Sequence, residues 1–228
     1  MSGVIRILHL EDDPADAALV DARLHAEGIS CVLQRVDNRM DFESALNAGG
    51  WDVIFADYQL PSYDGVKALD HVLRVAPETP LIMVSGTLGE DAAIDCLTKG
   101  ATDYVTKQKL SRLGPVVRRA LLEAEDRRVR KRSEEEIALL NFALNNVHES
   151  AYLIDADGHF AYVNKEACRS LGYTAEEMLR MDVHDIHPEF PEPRWRTHWE
   201  ELKAKRSLTF AGRHLTRTGD ILEVEIHA

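Results

Sequence analysis

The sequence predicts an α/β chain: a five-stranded doubly wound parallel sheet, then a long helical linker, then an α+β domain with an antiparallel sheet. Three observations carry that expectation. Through residues 1–110, short β-branched apolar runs alternate with amphipathic stretches. A long stretch without a strong helix breaker follows Ser111. From Ala151 onward the pattern changes to paired strands around glycine-containing turns.

The apolar runs at 4–10, 31–36, 51–56, 81–84 and 102–106 read as strands, because each is short and bounded by breakers. Segments 15–27, 39–48, 66–75 and 91–99 between them carry apolar residues at helical spacing. Gly28, Gly49 and Gly100 stand where helix stops belong. Repeated βα units give a parallel sheet with helices on both faces, and such sheets place their sites at the carboxyl ends of the strands.

Ser111 reads as the cap of the next helix, with Pro115 in its first turn. Val116, Val117, Ala120, Leu121 and Ala124 form a stripe suited to packing on the sheet. The following run, EDRRVRKRSEEE, is nearly devoid of apolar residues; Arg130–Glu134, Lys131–Glu135 and Arg132–Glu136 are spaced to pair along a helix. Ile137, Leu140, Leu144 and Val147 then recur at the 3-4-3 spacing of a coiled-coil seam. One continuous helix and a break near Ser133 both fit this pattern.

In the last part, AYLIDADGHFAYVN reads as two strands about an Asp-Gly turn. Asn164 is placed to cap a helix that stops at Gly172, and Thr174 with Glu177 makes a capping box. A helix around Trp195 precedes strands at 208–216 and 221–226. In the second of these, Leu222, Val224 and Ile226 alternate with Glu223 and Glu225, as in a strand with one buried face.

Composition narrows the class. The chain has 228 residues, 45% hydrophobic and 29% charged, the mix of an ordinary soluble protein. A net charge of −12 argues against a nucleic-acid binder held by bulk charge. The basic run at 127–132 is interleaved with acids and reads as a solvated helix face. No segment approaches the roughly 18 apolar residues of a membrane helix. The start is not a signal peptide, and Cys31, Cys96 and Cys168 are scattered, as expected of reduced thiols. The expected location is the cytoplasm.

Chemistry gathers at the predicted strand ends. Glu11, Asp12 and Asp13 follow the first strand, Asp57 the third, Ser85 ends the fourth and Lys107 follows the fifth. Carboxylates brought together repel unless a cation or a raised pKa relieves them. An oxygen-only set suits a hard ion such as Mg²⁺ or Mn²⁺. A lysine and a hydroxyl complete the parts that hold a transferring phosphoryl group, and a carboxylate can itself be the nucleophile. Asp57 is best placed for that role, since it emerges from the apolar run VIFA.

The motifs RILHLEDDPADA, DVIFADYQLPSYDG, LIMVSGTLGE and GATDYVTK resemble, in this order, the response-regulator receiver domain of two-component signalling, with a flavodoxin-like fold over residues 1–122. The resemblance implies that Asp57 is the phosphoacceptor and that Glu11 and Asp12 hold Mg²⁺ (or Mn²⁺) beside it, with Asp13 as the alternative ligand. It further implies that the Gln59 backbone carbonyl contributes to the metal, that Ser85 and Lys107 bind the phosphoryl group, and that Tyr104 is the switch aromatic. Gln108 stands where the family usually has proline, which removes the basis for expecting a cis peptide there.

NFALNNVHESAYLIDADGHFAYVNKEACRSLGY, TAEEML and LTFAGRHLTRTGDILEVEI resemble a PAS sensory domain over 137–228, leaving 123–136 as linker. There is no flavin or haem signature. Cys168 lacks the flavin motif and reads as a packing residue, and His198 beside Trp195 and Trp199 reads likewise. The PAS ligand is left unknown. The family's last strand lies centrally in its sheet, so the expectation is a PAS domain cut before that strand, at the front of a longer protein such as a hybrid receiver–PAS sensor histidine kinase.

The resulting expectation is a phosphorylation-controlled signalling module. It would take its phosphoryl group from a histidine kinase or histidine phosphotransfer protein, and it would act as a homodimer. A ligand-sensing PAS module with a merely structural receiver is the alternative. An Asp-nucleophile phosphatase is a further rival, weakened because its second acid would fall at Gln59.

Overall fold

In the computed structural model, residues 3–61, 63–86 and 90–228 are described. The five apolar runs form strands β1 (Ile5–Leu10), β2 (Cys31–Val36), β3 (Val53–Ala56), β4 (Leu81–Ser85) and β5 (Asp103–Thr106). Helices α1 (Pro14–Ala26), α2 (Arg39–Ala48), α3 (Gly65–Val75) and α4 (Glu90–Thr98) connect them. The strands pair in parallel in the order β2-β1-β3-β4-β5. Thr87, Leu88 and Gly89 of the LIMVSGTLGE motif lie outside the described residues.

Successive residues of a strand point to opposite faces, and in this sheet both faces are buried. On one face Ile7, Phe55, Ile82 and Val105 pack with Val20 and Leu24 of α1. On the other, Leu8, Ile54 and Met83 pack with Phe42 of α2, Leu69 of α3 and Cys96 of α4. Caps fix where three of the helices begin: Asp13, Asn38 and Asp64 accept backbone N–H bonds at the starts of α1, α2 and α3.

Residues 107–112 form a 3-10 turn, and α5 (Leu113–Asn146) follows as one unbroken helix. It begins two residues beyond the Ser111 expected from the sequence, because the 3-10 turn takes Ser111 into itself. Val116, Val117, Ala120, Leu121 and Ala124 are buried as the stripe predicts. No break occurs at Ser133. Lys131 reaches Glu78, 2.8 Å away on the exposed surface. Contacts divide the chain into two units, 1–133 and 134–228.

In the second unit β6 (Tyr152–Ile154) pairs antiparallel with β7 (Phe160–Val163), and β8 (Thr209–Leu215) with β9 (Ile221–His227). Among the described residues these are two separate two-stranded sheets. Between them run α6 (Lys165–Leu171), α7 (Ala175–Met178), α8 (Val183–Ile186) and α9 (Glu192–Lys205). Gly172, with φ 81°, ends α6 in the left-handed conformation that glycine accepts most readily.

Asn164, fully buried, ties this unit together. Its Oδ1 accepts from the Ala151 and Ala167 N–H groups at 3.0 and 2.9 Å. Its Nδ2 donates to the Leu144 and Glu149 carbonyls at 2.8 and 2.9 Å. One side chain thus caps α6 and satisfies backbone groups at the end of α5 and before β6. Asn164→Ala leaves those groups unpaired, and urea denaturation is expected to show the second unit destabilised by about 3 kcal/mol.

His214 on β8 is buried, and burial, helped by the neighbouring His187, lowers its pKa from 6.5 to about 4. The unfolded chain therefore takes up a proton near pH 6.5 that the folded unit refuses until about pH 4. Its stabilising contribution is full above pH 6.5 and falls across that window, by about 3 kcal/mol in all. Thermal melts of the second unit are expected to drop over this range, and less steeply in His214→Phe.

Candidate functional site

The sheet order brings the ends of β1, β3, β4 and β5 to one rim. Asp57 directly follows β3, which is fully buried along its length. Met83 is level with Ala56, so Ser85 stands two residues further along the adjacent strand; Thr106 is level with Ser85, and Lys107 comes next.

Lys107 is the centre of the arrangement. Its Nζ donates to Asp57 Oδ2 at 2.7 Å and to Asp16 Oδ2 at 2.6 Å, and it lies 2.7 Å from Glu11 Oε2. Burial alone would lower its pKa, but the bonds to Asp16 and Asp57 outweigh that and raise it. Glu11 is wholly buried; desolvation raises its carboxyl pKa against the lowering pull of Lys107. Asp57 is held at both oxygens, since Oδ1 also accepts from the Gln59 N–H at 3.2 Å.

Carboxylate oxygens of Glu11, Asp12 and Asp57 lie within 4.8 Å of one another. Lys107 supplies one positive charge to these three acids and Asp16, leaving the rim negative. Glu11 Oε2 is buried with no aligned hydrogen-bond donor, although Lys107 is close. An oxygen-only donor set with a free lone pair and surplus negative charge fits a hard divalent cation.

Neighbouring residues fix this geometry. Arg35 on β2 donates to the Glu11 and Asp12 carbonyls at 2.8 and 3.2 Å, holding the turn between β1 and α1. His9 Nε2 lies 3.8 Å from Glu11 Oε2, and burial, followed by Lys107 and Arg35, lowers its pKa to about 3, so it is neutral. Gly65 begins α3 against the end of β3: a Cβ there would lie 2.3 Å from the Asp57 carbonyl oxygen.

Other residues singled out from the sequence take different places. Asp13 is outside the carboxylate group: its Oδ1 accepts from the Ala15 N–H at 2.8 Å as the cap of α1. Ser85 is buried at the end of β4. Tyr104, on β5, is half-buried against the α2–α3–α4 face of the sheet. Gln59 contributes its N–H to Asp57 as described. Three participants were not anticipated, namely Asp16, Arg35 and Gly65. Asp16 falls five residues after Glu11 in the first turn of α1, a spacing that returns its side chain to the strand end. Arg35 lies in a strand, with no local motif to mark it.

Residues 7–117 match the response regulator receiver domain family, and residues 144–228 match the PAS fold family. The chain is 28% identical over 220 residues to the transcriptional regulatory protein TcrA of Mycobacterium tuberculosis, covering 79% of this chain and 86% of that protein. It is 31% identical over 125 residues to the cell cycle transcriptional regulator CtrA of Caulobacter vibrioides, covering 51% of this chain and 52% of that one. The receiver domain of a LuxO-type repressor protein from Vibrio parahaemolyticus superposes with a TM-score of 0.51 at 23% identity, over 56% of this chain and 97% of that one, which shows a shared fold. The buried acid rim with its lysine and the two family matches lead to one conclusion: this chain is a response regulator receiver domain followed by a PAS fold.

Proposed function

We propose that the chain is a phosphorylation-controlled module of two-component signalling, in which Asp57 accepts a phosphoryl group from the phosphohistidine of a histidine kinase or histidine phosphotransfer protein. The observation that carries this reading is the fixed pairing of a buried Asp57 with Lys107 amid surplus carboxylate charge. In the transfer, an Asp57 oxygen forms a bond to phosphorus as the phosphorus–nitrogen bond breaks, and the imidazole leaves with the electron pair. Glu11, Asp12 and Asp57 would hold Mg²⁺ or Mn²⁺, with the Gln59 carbonyl as a further oxygen; the ion supplies charge neutralisation at the phosphoryl oxygens.

Lys107 is already on Asp57 and pairs with the incoming negative group, giving up its bond to Asp16 or its ion-pair contact with Glu11. Ser85 donates a hydroxyl hydrogen bond to a phosphoryl oxygen. Tyr104, half-buried on the neighbouring strand, moves with Ser85 and shifts the balance between two states of the receiver. The α5 helix passes that shift toward the PAS fold, which senses a ligand of its own. Ile137, Leu140 and Leu144 on α5, with Val147 just beyond its end, are 37–57% exposed, supporting a seam with a second copy in a homodimer.

Incubation with acetyl phosphate and Mg²⁺ is expected to add one phosphoryl group to the intact mass of the wild-type chain and none to Asp57→Asn. Equal labelling of both, or sustained turnover of a phosphomonoester, would sink this reading. Mg²⁺ is expected to raise the melting midpoint of the receiver, by the equivalent of about 2.7 kcal/mol at a hundredfold excess over its Kd. Asp12→Asn is expected to remove most of that rise.

A further inference from the structure

The receiver carries a second group of metal-binding side chains, different in chemistry from the acid rim. Asp21 and His25 lie one turn apart on α1, and Cys31 is the first residue of β2. The turn between these elements is short. Gly28 takes a φ of 74°, and the Ile29 N–H bonds back to the Leu24 carbonyl at 3.0 Å. Cys31 thereby returns to the side of α1. Its Sγ lies 3.7 Å from Asp21 Oδ1, and His25 Nδ1 lies 3.4 Å from the same oxygen. Donor atoms of the three side chains all fall within 4.8 Å of one another.

These separations resemble the edges of a coordination tetrahedron. With zinc–ligand lengths of about 2.0–2.3 Å, neighbouring ligand atoms around a four-coordinate ion lie about 3.3–3.6 Å apart. Asp21 Oδ1 forms two of the three protein edges, and both come close to this spacing. In the structure the Cys31 thiol donates to Asp21 Oδ1, and His25 Nδ1 lies 2.9 Å from the Asp21 carbonyl oxygen. An ion takes the place of the thiol hydrogen between sulfur and carboxylate. The imidazole, 51% exposed, has room to turn its Nδ1 from the carbonyl to the ion.

Charge and access favour the same occupant. Among the described residues no lysine or arginine pairs with Asp21, whose ion-pair partner is His25. Cys31 is buried, whereas Asp21 and His25 are more open, so an ion reaches the group from the solvent side and keeps a water as its fourth ligand. The donor set also sorts the metals. Sulfur and imidazole nitrogen suit zinc, while an oxygen-only set such as Glu11, Asp12 and Asp57 suits magnesium or manganese.

We infer that Asp21, His25 and Cys31 bind one Zn²⁺ ion, with a water completing four-coordination. As the sulfur–zinc bond forms, the thiol proton leaves to solvent. The ion cross-links the last part of α1 to the start of β2, and its binding is independent of phosphoryl chemistry at Asp57.

Co²⁺, a coloured substitute for Zn²⁺, tests this when titrated into the full chain with thiols kept reduced and Mg²⁺ in excess to occupy the acid rim. One equivalent is expected to produce a thiolate-to-cobalt charge-transfer band and the intense visible bands of a four-coordinate ion. Zn²⁺ should abolish both. Cys31→Ser should remove the charge-transfer band and weaken Zn²⁺ binding by more than the roughly 10–100-fold that loss of an outer partner of a metal ligand costs. His25→Gln, at an exposed position, should weaken binding at least about tenfold yet keep the charge-transfer band at saturation. Cys168→Ser should leave the bands and the affinity unchanged. Acetyl phosphate labelling of Asp57 in each variant reports that the receiver is folded. A wild-type chain without the charge-transfer band, a band that survives in Cys31→Ser, or full Zn²⁺ affinity in His25→Gln overturns the inference.

Discussion

Surplus negative charge at one end of a parallel sheet is the constraint on which the rest of the receiver depends. Four carboxylates, from Glu11, Asp12, Asp16 and Asp57, are set around a single ammonium group on Lys107. Repulsion of that kind is tolerated only because Lys107 contacts three of them and because the backbone around them is fixed. Arg35 anchors the β1–α1 turn, Asp13 caps the helix that follows, and Gly65 lets α3 close against the end of β3. The arrangement is therefore held in place yet incompletely neutralised, which is the condition a site needs to take up a cation.

Topology produces this crowding. With the strand order β2-β1-β3-β4-β5, β1 and β3 are neighbours although β2 intervenes in sequence. Chain direction reverses its walk across the sheet between them, which is where open α/β sheets leave a crevice at their carboxyl ends. Glu11 and Asp57 flank that point, and Lys107 arrives from the edge strand. The apolar interiors of β3 and β4 make Asp57 and Ser85 the first polar residues at the end of a dry layer, so electrostatic interactions there are weakly screened.

Much of this was legible from residue order. The β-branched runs, the glycine stops and the switch to hairpins after Ala151 predicted the fold class, and the ordered motifs carried the resemblance to the two families that the chain matches. What escaped was non-local or competitive. Arg35 acts through backbone carbonyls, which no motif records. Asp13 sits in a run of three acids, and that it is the one capping α1 shows only in the coordinates. The start of α5 moved because a 3-10 turn competed with the Ser111 cap. The continuity of α5 through its polar middle was likewise undecidable, since weak surface pairs cannot specify a helix by themselves.

Anomalous diffraction from a crystal of this chain grown with Mn²⁺ tests the charge argument most directly. The account predicts one strong anomalous peak among the carboxylates of Glu11, Asp12 and Asp57, with Lys107 still within reach of Asp57. No peak at that rim at saturating Mn²⁺, or a peak confined to Asp21, His25 and Cys31, would contradict it.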